Sequence, residues 1–193
     1  MSELRSQSTR YLISEKHLSF DNRFLITDES GSVHYKVNST FFALGDKLSI
    51  FDQHENELVR IRQNYPHFHL TYKVYSIQNG TLDKLIASAK RTGPLWQHKL
   101  EISSSHGEYI LQKNGGVSSN IYNLTKNGNL IAIATKDVSP TKSLYWIDIV
   151  DDREPHLFIL TVIIILSCAQ RVPGNPIARP PVNTSKIWFV KNM

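Results

Sequence analysis

The segment Leu157-Phe-Ile-Leu-Thr-Val-Ile-Ile-Ile-Leu-Ser-Cys-Ala169 constrains this chain more than any other. It is apolar on every side at helical spacing, and a helix of that kind is stable only where nothing around it is wet. It covers roughly 13 residues, or about 20 Å as a helix, whereas crossing a bilayer takes about 20 residues. Gln170 and Arg171 end the run before that length is reached. A membrane anchor, a central strand favoured by β-branched Val162 to Ile165, and a buried core helix all remain on the table. Length favours the core helix, with Leu157, Phe158, Leu160, Ile164, Ile165 and Cys168 inside. Before it, Asp151-Asp-Arg-Glu-Pro155 reads as a helix start, since carboxylates suit the positive end and proline needs no donor there.

A buried helix needs walls, and the preceding residues supply them as short β-type runs broken by turns. Phe24-Leu-Ile26 turns at Asp28 to Gly31 and returns through Val33 to Val37. Lys47 to Phe51 turns at Asp52 to Asn56 and returns through Leu58 to Ile61. Leu70 to Ile77 turns at Gln78-Asn-Gly80 and returns through Leu82 to Ala89. Leu95 to Ile102 and Tyr109 to Leu111 form a further pair, as do Ile121 to Leu124 and Leu130 to Ala134 about Lys126-Asn-Gly128. A last run covers Ser143 to Val150, and weaker ones lie near Leu12, Phe20 and Phe41. Each turn places Gly, Asn or Asp where positive φ is required. About a dozen candidate strands at this spacing predict a meander that closes into a barrel or sandwich.

The expected organisation is a short N-terminus over residues 1–9, a barrel domain over 10–170 and a tail over 171–193 with four prolines in Val172 to Val182. The closing Lys186-Ile-Trp-Phe-Val190 is apolar enough to dock as a short strand. One cysteine excludes an internal disulfide, and Cys168 reads as a small buried hydrophobe. The first ten residues contain no apolar signal core, so the expected setting is cytoplasmic, peripheral to membranes at most. Of the sequons at Asn38, Asn79, Asn123 and Asn183, three read as turn chemistry.

The order and spacing of Tyr11-Leu-Ile-Ser-Glu-Lys16, Phe24 to Gly31, Tyr35-Lys-Val37, Leu44-Gly-Asp-Lys-Leu48, Glu57 to Gln63, Ile131-Ala-Ile133 and Tyr145 to Ile149 resemble the LURP-one-related family. That family belongs with tubby C-terminal domains and phospholipid scramblases. The resemblance implies a mainly β fold, a closed antiparallel barrel around a hydrophobic C-terminal helix. It also points to anionic phospholipid or phosphoinositide headgroups as partners, because tubby domains bind them through a basic pocket. The acidic calcium-binding segment of scramblases has no match here.

The formal charge of +5 is too small and scattered to indicate nucleic acid. No phosphate-cradling glycine loop, nucleophile elbow or zinc-protease helix is present, and Gly115-Gly116 reads as a turn. No activity as an enzyme, cofactor or metal is expected. His67-Phe-His69 puts two imidazoles on one strand face, but His54, His98 and His106 belong to other hairpins. Lys84, Lys90, Arg91 and Lys99 flank Thr92-Gly-Pro94 beside Trp96 and His98, a candidate seat for an anionic headgroup. Arg60 and Arg62 form a second basic patch. The alternatives are a protein-interaction scaffold using the barrel surface and tail, and a scramblase-like membrane-associated protein.

Overall fold

A computed structural model describes residues 9–15, 24–39, 47–64, 70–94, 97–139 and 142–170. It contains twelve strands: β1 (Thr9–Glu15), β2 (Phe24–Asp28), β3 (Val33–Ser39), β4 (Lys47–Phe51), β5 (Glu57–Asn64), β6 (Thr71–Gln78), β7 (Thr81–Thr92), β8 (Lys99–Ser104), β9 (Gly107–Asn114), β10 (Ile121–Lys126), β11 (Asn129–Ser139) and β12 (Lys142–Ile149). Among the described residues one helix, α1, runs His156–Ala169. Every strand pairs antiparallel with its neighbours in sequence, and β1 pairs with β12 to close the barrel. The runs near Phe20 and Phe41, and Lys186 to Val190, lie outside the described residues.

Inward rows such as Tyr11–Ile13, Ala87–Ala89, Tyr109–Leu111 and Ile147–Ile149 are buried against α1, whose residues from Phe158 onward are all buried. Closure explains why the β-branched run Val162 to Ile165 is helical. Inside a closed barrel no strand edge is left to pair with, so a threading segment must satisfy its own N–H and C=O groups. A helix does this. Its backbone comes nearest to β7, where Ala87 and Ala89 leave room. Thr161, buried in mid-helix, donates its hydroxyl to the Leu157 carbonyl at 2.7 Å.

The two ends of the barrel differ. The β2–β3, β4–β5, β6–β7, β8–β9 and β10–β11 turns cluster where α1 begins, while the opposite strand ends, such as Glu15, Asn64, Thr92 and Asn114, lie where it stops. The tight turns follow the residues that demand them. Asn79-Gly80 and Asn127-Gly128 have both central φ values positive, the mirror-image turn that suits strand twist. Asp52 accepts from the backbone N–H groups of His54 and Asn56, both at 2.8 Å.

Three expectations need correction. The run from Leu95 does not all form a strand: β8 begins at Lys99, because His98 is left-handed at φ 46 and breaks the extended path. The carboxylates before α1 do not cap it. Pro155 is the extended N-cap, and Glu154 and Asp151 instead engage Lys126 and Arg153, at 2.6 and 2.8 Å. Of the described sequons only Asn79 is at a turn. Asn38 and Asn123 lie within β3 and β10, each with a buried side-chain oxygen lacking a partner among the described residues.

Candidate functional site: the basic end of the barrel

Charge is sorted along the barrel axis. Around the end where α1 terminates stand Lys47, Arg62, Lys73, Lys90, Arg91, Lys99, Lys113 and Lys136, against the carboxylates Glu15, Glu101 and Asp137 among the described residues. The opposite, tight-turn end holds Asp28, Glu29, Asp52, Glu55, Asp83, Asp151, Asp152 and Glu154, against the cations Arg10, Lys36, Lys84, Lys126 and Arg153. Turn chemistry explains the acidic end, since Asp side chains accept turn N–H groups. The Ser30 hydroxyl, with His34, holds the Asp28 carboxyl well below the usual carboxylate range. Arg153 likewise holds Asp151 down, to about 2.

On the outer wall, Lys47, Arg62 and Lys73 occupy directly opposed register positions on β4, β5 and β6. Like charges facing each other across strands are destabilising, and no carboxylate stands between them in this row. The Arg62 guanidinium lies 5.9 Å from the centre of the Tyr75 ring, which orients it while leaving it exposed.

Inside the mouth a second set of cations meets the end of α1. The rows Ala87–Ala89, Tyr109–Leu111 and Ala132–Ala134 continue by strict alternation into Arg91, Lys113 and Lys136. Arg91 Nη1 donates to the Ala169 carbonyl at 3.3 Å, and Lys136 Nζ to Gln170 Oε1 at 2.7 Å. Cations suit the negative end of a helix. Gln170 also accepts from Tyr145 Oη at 3.0 Å and donates to Tyr122 Oη at 2.9 Å, so it ties the helix end to two strands. Beside this cluster is a cleft of about 310 Å³ lined by Gln97, Gln112, Lys113, Gly115, Gly116 and Val117.

The expected seat around Thr92 to Pro94 is only partly assembled. Lys90 and Lys99 do stand together, but Glu101 is between them: it faces Lys90 in register and accepts from Lys99 at 2.8 Å. That bond holds the Glu101 carboxyl below its usual value. Arg91 turns inward to α1. Lys84 is misplaced by the expectation, since it lies roughly 20 Å up β7 at about 3.3 Å per residue, by the acidic turns. Trp96 lies outside the described residues. In the second patch, Arg60 is engaged by Glu57 in a bidentate pair, with Nε at 2.7 Å from Oε1, whereas Arg62 belongs to the row with Lys47 and Lys73. His67 and His69 lie outside the described residues, His54 and His106 sit in turns at the acidic end, and His98 is buried at the basic end. No group of three His, Cys, Asp or Glu among the described residues is placed to hold a metal ion.

Lys47, Lys73, Lys113 and Lys136 went unnoticed in the sequence. Alternation from Tyr109 and Leu111 would have placed Lys113 inside, whereas the outer row needs the strand register.

A closed antiparallel barrel threaded by its own apolar helix, basic at the end where the helix stops, defines the class. Residues 9–167 match the LURP-one-related family, and the chain belongs to it. It is similar to Protein LURP-one-related 10 of Arabidopsis thaliana, with 26% identity over 90 residues. That match spans 46% of this chain and 46% of the relative, about half the length of each. An X-ray structure of another Arabidopsis thaliana protein superposes with a TM-score of 0.57 at 20% identity, covering 85% of this chain and 92% of that one. At such identity the likeness is one of fold alone.

Proposed function

We propose that this barrel is a non-catalytic binding domain that docks its basic end on an anionic membrane surface, with phospholipid or phosphoinositide headgroups as the ligands. The observation behind this reading is the row Lys47–Arg62–Lys73, three cations opposed in register without a carboxylate among them. Self-repulsion of this kind is relieved by an external anion, and each cation near an anionic leaflet contributes about 1 kcal/mol. The axial sorting of charge adds orientation, because the acidic turns are repelled by the same surface. No helix among the described residues is long and apolar enough to cross a bilayer, and the contact in this reading is peripheral. Flotation with phosphatidylcholine vesicles, with and without phosphatidylinositol bisphosphate, tests it. Recovery on the anionic vesicles alone, lost in the triple variant K47E/R62E/K73E, is expected; equal recovery on both overturns it.

A second reading, a protein-interaction module, rests on an outer row in which Ile121, Thr135, Trp146 and Leu12 are in successive register. Trp146 is 37% exposed there. Capture of a partner lost in W146R but kept in the triple charge variant favours this second reading.

A further inference from the structure

His98 is the oddest residue at the basic end. It is only 9% exposed, it sits at φ 46 where Asn or Gly is more at ease, and its Nδ1 is buried without a partner among the described residues. A strained backbone around an unsatisfied buried polar group is where a binding role is worth seeking. The cations that act on its ring come from three strands: Arg91 from β7, Lys113 from β9 and Lys136 from β11. Arg91 and Lys113 are anchored by neutral oxygens, on Ala169 and Val117, which hold the side chains without cancelling their charge, and Lys136 donates to Gln170. Glu15 is the carboxylate buried at this end, on β1 across β12 from Lys136. Gln97, next in sequence to His98, and Lys113 both line the cleft of about 310 Å³.

We infer that the mouth holds one tetrahedral dianion, a phosphate or sulfate group, between Lys113 and Arg91, and that His98 takes up a proton as the anion enters. This deepens the membrane-docking reading and rests on it: the outer row supplies adhesion, and the mouth supplies a seat that tightens as pH falls. Without an anion, burial and then the charges of Lys113, Lys136 and Arg91 push the His98 imidazole down to about 4, so it is neutral at pH 7. A dianion beside the same cations offsets most of their charge at the ring, and Nδ1–H becomes a donor to it. Binding and protonation then favour each other. The proton comes from solvent, and the one bond formed is Nδ1–H.

Inorganic sulfate is the probe, because it stays dianionic across the range in which imidazole titrates. The full chain is titrated by NMR with and without sulfate, and the His98 ring signal is assigned by its loss in H98N, a substitution that the left-handed backbone tolerates. The expected result is a His98 midpoint raised by more than about one pH unit by sulfate, with affinity gaining up to about tenfold per pH unit on acidification. H98N should bind sulfate with affinity independent of pH, and K113Q should bind it more weakly at every pH. Sulfate binding that leaves the His98 midpoint unmoved overturns the inference while leaving membrane docking intact. Failure of both sulfate and phosphatidylinositol bisphosphate vesicles to bind at any pH overturns both. A sulfate-induced shift with no vesicle binding upholds the proton-linked seat and assigns it to a soluble phosphorylated or sulfated ligand.

Discussion

Lys136 on β11 donates a 2.7 Å hydrogen bond to the side chain of Gln170, the residue that ends the buried helix. Through it the wall and the helix share one polar junction. Gln170 is 7% exposed and also bonds Tyr122 and Tyr145, so the helix is fixed in depth where its apolar surface ends. Replacing it by leucine leaves two buried hydroxyls and an ammonium short of a partner. Q170L should lose about 1–3 kcal/mol, read as a lower midpoint in thermal or urea unfolding.

The fit of the helix against β7 depends on small side chains. Ala89 is fully buried where α1 comes closest, so A89L forces the helix or the wall to move. Overpacking of this kind costs about 1–3 kcal/mol, and truncating the helix in I164A costs about 2–5 kcal/mol by opening a cavity. Denaturant unfolding of the two variants checks both figures. A89L as stable as the parent would contradict the close approach.

Glu154, just before the helix, accepts from Lys126 Nζ at 2.6 Å and from Tyr109 Oη at 2.5 Å. Burial and this carboxylate push the Tyr109 phenol up to about 12. K126M strips Glu154 of its cation and should lower the unfolding midpoint. The double variant K126M/E154Q should recover part of that loss, as calorimetry can show.

The buried imidazole has a pH signature in stability. An unfolded chain protonates histidine near pH 6.5, while folded His98 takes its proton only near 4. Between those values the unfolded chain binds more protons. The contribution of His98 to stability is therefore complete above about pH 6.5 and is lost as pH falls toward 4. Comparing H98N with the parent isolates it from the other histidines: the stability difference between them should change over that window and be constant above it.

Much of this architecture is legible in the residues, and the reasons differ from part to part. Asn79-Gly80 and Asn127-Gly128 admit few conformations, so they mark hairpins on local chemistry alone. The helix is legible because no other environment suits a segment apolar all round. The candidate site is harder to see for a geometric reason. Arg91, Lys90 and Lys99 are neighbours in sequence or hairpin, yet alternation sends Arg91 inward to Ala169 and leaves the lysines outside with Glu101. Lys47, Arg62 and Lys73 belong to three strands whose alignment depends on bulges such as that at Ile50/Phe51, which carry no simple sequence mark. His98 looked like one surface histidine among several because its burial is set by strands far away in the chain.

Amide hydrogen exchange with anionic vesicles tests the proposed role most directly. With phosphatidylinositol bisphosphate present, protection should appear around Lys47, Arg62, Lys73 and Lys113, while the turns near Asp28, Asp52 and Asn79 exchange as before. Protection centred on those acidic turns, or spread evenly over the barrel, would contradict the account.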